Sequence, residues 1–501
     1  MKLPILIAMV LYMAMVIWIG VIYSKKTKTS EDYFLGGRGL GPWVTAMSAE
    51  ASDMSSWLLM GLPGLAYATG FSQAGWTAIG LILGTYLNWK IVAKRLRHYT
   101  EVADNAITVP DFFSNRFKDD KKILSSISAV MILIFFTVYT ASGFAACGTL
   151  FNSVFGLNYQ KSMIVCAIVI VLYTSMGGFL AASTTDLIQG LLMSFAIVIV
   201  LIVGVVNAGG VANVIAHGQA MEGFFDVMKY HDPATGGAVS QGVIPILSGL
   251  AWGLGYFGMP HILVRFMSIE KPSMIKKSSI VAIVWVIISL FSAVMIAYFG
   301  RMVMGAELLT QGNQKLVFIA MARRFFPAGI CGLLLAAIIA ASISTADSQL
   351  LVASSSFTAD LYKPFFRKKA TEKETLFVGR VLVLSLIAFA IANSKGSGAQ
   401  AIMDMVENAW GAFGASFGPT ILLSLFWKRF NYQGAVADVI SGFVIDLGWL
   451  LTGMTASTGI FEIVPGFFGS LVVAIIVAKL TSAPNEKAVA IFEQGTSTNA
   501  D

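Results

Sequence analysis

Long apolar runs dominate this sequence and constrain its fold more than any other feature. Thirteen segments of roughly 20 mostly apolar residues follow one another, and a helix that spans a membrane needs about 20 such residues. A transmembrane β-barrel would show shorter segments of alternating polarity. Hydrophobic residues make up 56% of the chain and charged residues only 12%, unlike a soluble domain. The sequence therefore predicts an all-α polytopic membrane protein with about 13 transmembrane helices. The segments lie near residues 4–23, 44–70, 74–93, 123–153, 159–177, 184–207, 241–264, 278–300, 327–358, 375–394, 401–427, 433–452 and 460–480.

The first segment resembles a secretory signal peptide in its apolar character, but its flanks differ. Lys25, Lys26 and Lys28 follow the apolar run, and no A-x-A cleavage pattern is present. Signal peptides carry their positive charge before the apolar run. We therefore expect a first helix that is retained.

Basic residues between the segments predict the orientation, because cytoplasmic loops collect lysine and arginine. If the N-terminus is outside, the cytoplasmic side holds 26 of the 34 basic residues, including those of the stretch 265–277. This predicts an external N-terminus and a cytoplasmic C-terminus in the cell inner or plasma membrane. It also accounts for the net charge of +7, so we expect no nucleic-acid partner.

Motifs of enzymes and metal sites are absent from the sequence. Cys147, Cys166 and Cys331 fall in apolar segments without a close-spaced pair, which favours packing over a disulfide framework or a zinc site. No HExxH, GxSxG or Walker-type loop occurs. We expect no enzyme, no organic cofactor and no appended signalling domain, so that the membrane bundle carries the function.

The second segment is apolar but contains two acids and a helix-breaking sequence. Glu50 and Asp53 lie three positions apart among several serines, and Gly-Leu-Pro-Gly follows at 61–64. A charge at membrane depth is costly and usually functional. Transporters commonly bind ions and substrates at interrupted helices, whose free carbonyls accept cations. The pattern therefore predicts a broken helix at a transport site.

The seventh segment repeats this pattern. In "AWGLGYFGMPHILVRF", three glycines and Pro260 interrupt a stretch that also contains Trp252 and Tyr256. Segments two and seven would be the first helices of two possible five-helix halves. An inverted repeat places paired broken helices at these positions.

The ninth segment contains oxygen ligands suited to a hard cation. In "AASISTADSQ", residues 340–349, Ser344 and Thr345 offer hydroxyls, and the carbonyl of Ala341 lies one turn earlier. Na⁺ takes several oxygen ligands, as calcium and magnesium do. Such hydroxyls also often bond back to their own helix, but the neighbouring Asp347 favours an ion site.

Several motifs together resemble the sodium/solute symporter family, in its proline-carrying branch, and the similarity runs over nearly the whole chain. They are "DYFLGGRGLGPWVTAMSAEASDMSSWLLMGLPG" from Asp32, "FFTVYTASG" from Phe135, "GGFLAASTTDLIQ" from Gly177, "WGLGYFGMPHILVRFM" from Trp252 and "AWGAFGASFGP" from Ala409.

This resemblance implies a leucine-transporter-type five-plus-five inverted repeat that works by alternating access. The expected organisation is a first helix and linker over 1–43, a first repeat over 44–207, an extracellular loop over 208–240, a second repeat over 241–427, two accessory helices over 428–480 and a cytoplasmic tail over 481–501.

The resemblance also implies Na⁺-coupled symport of L-proline and assigns site residues by motif position. The expected Na⁺ ligands are the backbone carbonyls of Ala51, Met54 and Ala341 with the side chains of Ser344 and Thr345. The expected substrate-binding residues are Ser55, Ser56, Trp57, Tyr139, Trp252, Tyr256 and Pro260. Asp53 is expected near the cation and Arg38 at the cytoplasmic gate.

Three residues depart from the pattern that the resemblance implies. Glu50 and Ser56 stand where proline carriers have small residues, and Asp347 replaces a small polar residue. Glu50 could pack in a protonated form, pair in the inner gate or contribute to ion choice. Because some family members bind a second Na⁺ through an acid that corresponds to Asp186, we hypothesise a second cation site at Asp186, Asp347 and Ser348, together with Ser344.

Two other functions remain open on the sequence alone. One is Na⁺-coupled transport of another small amino acid or carboxylate, since the pocket resemblance does not exclude it. The other is a membrane sensor on the same scaffold, which would need a signalling domain. We expect a lipid-embedded monomer to be functional.

Overall fold

A computed structural model describes residues 2–25, 29–393 and 399–497, and the described part is almost entirely helical. Its first ten helices are α1 (Lys2–Ser24), α2 (Ser30–Leu35), α3 (Pro42–Met54), α4 (Gly61–Thr69), α5 (Phe71–Leu87), α6 (Ala93–Val102), α7 (Val109–Phe117), α8 (Ile123–Phe155), α9 (Tyr159–Asn207) and α10 (Val211–Gln219). A short antiparallel hairpin of β1 (Lys229–His231) and β2 (Ala238–Ser240) follows.

The second part of the chain adds eleven described helices. They are α11 (Val243–Ala251), α12 (Pro260–Ser268), α13 (Ile275–Met304), α14 (Val317–Phe325), α15 (Ala328–Ser356), α16 (Glu372–Asn393), α17 (Ala399–Phe426), α18 (Tyr432–Leu451), α19 (Met454–Thr458), α20 (Ile463–Leu480) and α21 (Glu486–Thr496).

Eight described helices are long and apolar enough to cross a membrane, or nine if the bent pair α11–α12 counts as one span. The expected number of thirteen is not confirmed by length and composition, and it stays a prediction. One reason is that the second segment is divided between α3 and α4, of 13 and 9 residues. Another is that α5 has only 17 residues.

Helix α15 forms the centre of the bundle. It packs against α1, α3, α8 and α9, and its apolar and small residues are buried along nearly its whole length. Outer helices such as α1, α13, α18 and α20 instead expose large apolar side chains. A helix that is apolar all round is typical of a membrane span, so the exposed side chains are expected to face lipid.

Helix α9 contains a break at Gly178, between the expected segments 159–177 and 184–207. Gly178 has φ 60° and ψ −154°, a conformation that glycine adopts without steric cost. A Cβ atom there would lie 2.6 Å from the ring of Tyr33. The break and the close approach of α2 both depend on the missing side chain.

Two groups of short elements at the helix ends provide reference points for the site. We call the side with α10, the β-hairpin and α14 the hairpin side, and the side with α2, α7 and α21 the Arg38 side. Residues 208–240, expected as a loop, contain α10 and the hairpin, and the expected tail contains α21. Lys26, Lys28, Lys395 and the last four residues of that tail lie outside the described residues.

One residue of the basic stretch 265–277 lies elsewhere than the orientation count assumed. Arg265 is not in a loop: α12 continues to Ser268, and the Arg265 side chain is completely buried. The prediction is wrong at this residue because the guanidinium pairs with a buried carboxylate.

Candidate functional site

The second predicted segment is broken as expected, immediately after its acids. Helix α3 ends at Met54, and Ser55 has φ 47° and ψ −172° before a single 3₁₀ turn at Ser56–Leu58 leads into α4. Such a positive φ is rare for a residue other than glycine. The last four carbonyls of a helix have no partner within it, so the break leaves backbone oxygens of α3 facing the core.

The expected Na⁺ ligands converge at this break, where α3 meets α15. We call Ala51, Met54, Ala341, Ser344 and Thr345 the ion cluster. The Ser344 hydroxyl lies 2.8 Å from the Ala51 carbonyl oxygen and 3.2 Å from that of Ala341. The Thr345 Oγ1 atom is buried without a hydrogen-bond partner, and Met54 is the last residue of α3.

Neutral oxygens make up the whole ion cluster. Among the described residues, no group of three or more His, Cys, Asp or Glu side chains is arranged to bind a metal ion. A few neutral oxygens at an interrupted helix match the way Na⁺ is held in transporters, and the unpartnered Thr345 hydroxyl leaves one ligand available. The donor set fits a monovalent hard cation.

A small aromatic pocket lies directly beside the ion cluster. Its cavity is about 20 Å³, which is room for about one water molecule and far below the range for ligand pockets that hold a bound molecule. We call it the inner pocket; its lining residues are Asp53, Met54, Ser55, Trp57, Leu81, Tyr139, Trp252, Val406 and Trp410. Met54 lines the pocket and lies about one turn after Ala51 on α3, and the Ala51 carbonyl accepts the hydrogen bond from Ser344, so the pocket borders the expected Na⁺ ligands.

Polar groups in the inner pocket are few. The indole Nε1 of Trp57 is buried and has no hydrogen-bond partner, and the Tyr139 phenol is within hydrogen-bonding reach of the Ser55 side chain. Leu81 and Val406 contribute apolar walls. The pocket can therefore offer a hydrogen-bond donor to an anionic group and apolar surface to a compact ring.

A stack of aromatic rings separates the inner pocket from a larger outer cavity on the hairpin side. The ring centroids of Trp57 and Trp252 are 5.5 Å apart, and those of Trp252 and Phe461 are 5.3 Å apart. The outer cavity has a volume of about 380 Å³, and its lining includes Ser56, Lys315 and both tryptophans of the stack. The rings thus close the inner pocket towards the hairpin side.

The seventh segment is interrupted as predicted and contributes Tyr256. Between α11 and α12 the residues Trp252–Phe257 form 3₁₀ turns, and the two parts are bent by 45°. The Tyr256 hydroxyl lies 2.6 Å from Asp53 Oδ2, while the Asn88 amide donates to the Tyr256 carbonyl at 3.0 Å. Tyr256 therefore links α3, α5 and the α11–α12 break.

Glu50 lies in the same region and is buried, with 2% of its surface exposed. Its Oε1 accepts a hydrogen bond from Trp89 Nε1 at 3.0 Å, and its Oε2 has no partner. Neither Glu50 nor Asp53 takes part in an ion pair among the described residues. A salt bridge to Glu50 in the inner gate, one of the roles left open by the sequence, is therefore not formed in the described part.

The residues of the hypothesised second cation site are brought together, but with a basic side chain among them. Asp186 accepts hydrogen bonds from Ser48 Oγ at 2.6 Å and from Arg265 at 3.3 Å. Ser348 Oγ lies 3.0 Å from Asp347 Oδ1 and also accepts a hydrogen bond from Arg265. We call Ser48, Asp186, Arg265, Asp347 and Ser348 the Arg265 cluster.

Arg38, expected at the cytoplasmic gate, is buried on the Arg38 side of the bundle, and its gate role stays a prediction. Its guanidinium donates to Asn105 Oδ1 at 2.8 Å and to the carbonyls of Met267 at 2.6 Å and Ala106 at 2.8 Å. Burial, together with the nearby Arg97, lowers the pKa of Arg38 to about 10. These contacts join the linker before α3 to the end of α12 and to the segment between α6 and α7.

Three expected substrate-binding residues, Ser56, Tyr256 and Pro260, lie outside the lining of the inner pocket, and Tyr256 instead bonds to Asp53. Ser56 faces the outer cavity, and Pro260 is the first residue of α12. Trp410, which was not predicted, lines the pocket and donates through Nε1 to the Trp252 carbonyl at 2.8 Å. Its motif "AWGAFGASFGP" was a signal that could have found it. Phe461 had no such signal, because it lies at the start of the segment 460–480, which was expected to be an accessory helix.

Comparisons with known proteins agree with this geometry. The sequence model of the Sodium:solute symporter family matches residues 33–442. The osmoregulated proline transporter OpuE of Bacillus subtilis is 44% identical over 98% of this chain and 98% of its own length. The sodium/proline symporter of Escherichia coli K12 is 42% identical over 97% of this chain and 95% of its own length.

Solved structures support the fold. A Na⁺-coupled sialic acid symporter in a substrate-bound outward-open state has a TM-score of 0.77 at 21% identity, covering 96% of this chain and 99% of that one. The transporter MhsT in complex with L-phenylalanine has a TM-score of 0.53 at 13% identity, covering 87% and 97%. Together with the family match and the near full-length relatives, these likenesses place the fold among multi-pass membrane transporters. The chain belongs to the sodium:solute symporter family.

Proposed function

We propose that this chain is a secondary active transporter that carries L-proline into the cell together with Na⁺. The observation that supports it most directly is that the last turn of α3 lines the inner pocket through Met54 and meets Ser344 of α15 through the Ala51 carbonyl. An ion bound at the break would order the same residues that form the pocket wall. Relatives of more than 40% identity that are named proline transporters support the choice of substrate.

L-Proline suits the inner pocket chemically. It is a zwitterion with a compact apolar ring, and the pocket combines aromatic walls with few polar groups. The unpartnered Trp57 Nε1 is a donor for the carboxylate, and Tyr139, Trp252 and Trp410 offer faces for the ring. The pocket is closed by the aromatic stack, so loading requires Trp57 and Trp252 to separate.

One Na⁺ would bind at the ion cluster. The carbonyl oxygens of Ala51, Met54 and Ala341 and the hydroxyls of Ser344 and Thr345 would be its ligands. Asp53 would balance the ion's charge from the pocket side without a basic competitor in the described part. Alternating access would then break the Arg38 contacts as the aromatic stack closes.

The available driving force is sufficient for accumulation. Moving one positive charge inwards gains about 2.3 kcal/mol per 100 mV, and a tenfold Na⁺ gradient adds about 1.4 kcal/mol. Together these allow a neutral solute to be concentrated on the order of 500-fold. Coupling is reciprocal, so Na⁺ must also tighten proline binding.

The finer architecture belongs to the same proposal. The breaks at α3–α4 and α11–α12 support two inverted five-helix repeats over 44–207 and 241–427, within thirteen spans. The hairpin side would be extracellular and the Arg38 side cytoplasmic, in a cell membrane with the N-terminus outside. A functional monomer belongs to the same proposal.

Uptake into proteoliposomes tests the function. We expect labelled proline to accumulate when Na⁺ is high outside, and not with K⁺ alone or with a proton gradient alone. Ser344→Ala should weaken Na⁺ stimulation, whereas Ser342→Ala is the matched control, because the Ser342 hydroxyl donates to the Ile338 carbonyl of its own helix and lies outside the ion cluster. Proline uptake without Na⁺ stimulation would contradict the ion assignment. Preferential uptake of another amino acid would contradict the substrate.

A further inference from the structure

Arg265 is the basic residue of the Arg265 cluster, and its position is unusual for an arginine. It lies on α12 with no exposed surface, inside a bundle whose outer helices expose apolar side chains. A buried charge must be paired and hydrogen-bonded to be tolerated. Its partners therefore indicate what its charge balances.

The guanidinium is surrounded by oxygen atoms. Its Nε donates to Ser48 Oγ at 3.0 Å and Nη1 to the His261 carbonyl at 2.9 Å. Its Nη2 donates to Asp186 Oδ2 at 3.3 Å and also to Ser348 Oγ. The ring of Phe179 lies 4.9 Å from the guanidinium carbon and covers it. This oxygen shell resembles the coordination shell of a cation.

These oxygens belong to the residues expected to bind a second cation. Of Asp186, Asp347 and Ser348, two contact the guanidinium directly, and Asp347 is connected through the Ser348 hydroxyl at 3.0 Å. Arginine is always charged and has five donors and no acceptor. Although Asp186 Oδ1 has no hydrogen-bond partner, a Na⁺ ion bound there would lie beside the guanidinium charge and be repelled by it.

Resting on the proposed Na⁺-coupled function, we propose that the Arg265 guanidinium is a resident cation that takes the place of a second Na⁺, so that the transporter binds one Na⁺ per cycle. The positive charge that pairs with Asp186 is then part of the protein, and it stays there throughout the cycle. Only the ion cluster exchanges its cation with solvent.

Equilibrium binding of ²²Na⁺ to the purified full-length protein, without proline, tests this inference. We expect one Na⁺ per chain in the wild type. Arg265→Met leaves the carboxylates without their resident cation, so we expect two Na⁺ per chain and a Hill slope that rises from about one towards two. Arg265→Lys keeps a positive charge at this position, so this variant should bind one Na⁺ per chain.

The double variant Arg265→Met with Asp186→Asn is the matched control, because it removes both members of the ion pair; we expect one Na⁺ again. Two Na⁺ in the wild type, or one in a folded Arg265→Met variant, would overturn the inference. If Arg265→Met does not fold, the inference is decided by the number of Na⁺ ions bound per chain in the wild type and in Arg265→Lys. No Na⁺ binding by the wild type at all would instead contradict the proposed function.

Discussion

Two pairs of buried acids lie at interrupted or polar parts of this bundle, and they differ in how their charge is balanced. Asp186 and Asp347 share a cluster with Arg265. Glu50 and Asp53 lie beside the ion cluster and have only hydrogen bonds from Trp89 and Tyr256 in the described part.

The comparison distinguishes acids whose balancing cation is a protein side chain from acids whose balancing cation would be the transported Na⁺. Where the protein supplies the cation, the carboxylate is balanced in every conformation. Where it does not, a carboxylate at this depth is costly, and a cation from solvent stabilises it. On the proposed mechanism, the charge of Asp53 makes the pocket sensitive to Na⁺, whereas the Arg265 cluster does not.

The largest effect is expected on protein stability, from a substitution of Asp186, the ion-pair partner of Arg265. Asp186→Asn leaves Arg265 without its ion-pair partner, and breaking a buried pair costs about 3–5 kcal/mol of stability. We expect a lower unfolding temperature in detergent, with Na⁺ binding still at one per chain.

Asp438→Asn is the control for that experiment. Asp438 is also fully buried, but the Thr420 hydroxyl rather than a basic residue is its partner, and an amide oxygen can accept the same bond. Equal losses of stability in the two variants would mean that the Asp186–Arg265 pair has no special role.

A substitution of Asp53, which has no ion-pair partner in the described part, should change Na⁺ binding rather than the stability of the protein. Asp53→Asn removes the charge next to the ion cluster, and hydrogen bonds and contacts of charged groups contribute about 1.5–3 kcal/mol. We expect the Na⁺ concentration for half-maximal proline uptake to rise on the order of 100-fold. Tyr256→Phe removes the hydrogen bond to Asp53 but keeps the Asp53 charge, and it should raise the same Na⁺ concentration by about tenfold or less. If Asp53→Asn needed the same Na⁺ concentration as the wild type for half-maximal proline uptake, the Asp53 charge would have no role in Na⁺ binding.

A single ligand of the ion cluster should have a smaller effect. Thr345→Val preserves shape and removes an Oγ1 atom that has no protein partner, so any loss reports on a bound ion. We expect the half-saturating Na⁺ concentration to rise by about tenfold, the equivalent of about 1.4 kcal/mol. Ser342→Ala should change it less than about twofold. No change in Thr345→Val would remove this hydroxyl from the ligand set.

The smallest effect is expected at Glu50. A glutamine at this position can still accept the hydrogen bond from Trp89, so Glu50→Gln should retain proline uptake within about threefold. Glu50→Leu cannot accept it and should lose more, because a buried donor left unpaired costs about 1–3 kcal/mol. A loss in Glu50→Gln that equals that of Asp53→Asn would assign Glu50 a charge-dependent role in ion binding.

The sequence predicted those parts of the site that depend on local pattern. Glycine, proline and acids within apolar segments indicated the breaks after Met54 and before Pro260, and the hydroxyl pair at Ser344 and Thr345 indicated the ion cluster. These features follow from backbone preferences and from the cost of polar groups in lipid, which one segment alone expresses.

Features that depend on packing between distant segments were not predicted. Arg265 was counted as a loop charge because its partner Asp186 is 79 positions away. Phe461 joins the aromatic stack only because the segment between α18 and α20 folds over α11, where Ser248 Oγ accepts a hydrogen bond from the Phe461 amide at 3.1 Å. The short helices α7 and α21 lack the apolar length by which the spans were found.

The ratio of initial fluxes tests the central claim most directly. Proteoliposomes containing the wild-type protein would be given ²²Na⁺ and tritiated L-proline together, at a clamped membrane potential. The proposed mechanism, with one exchangeable cation and one resident guanidinium, predicts one Na⁺ taken up per proline. A ratio of two, or proline uptake without Na⁺ entry, would contradict it.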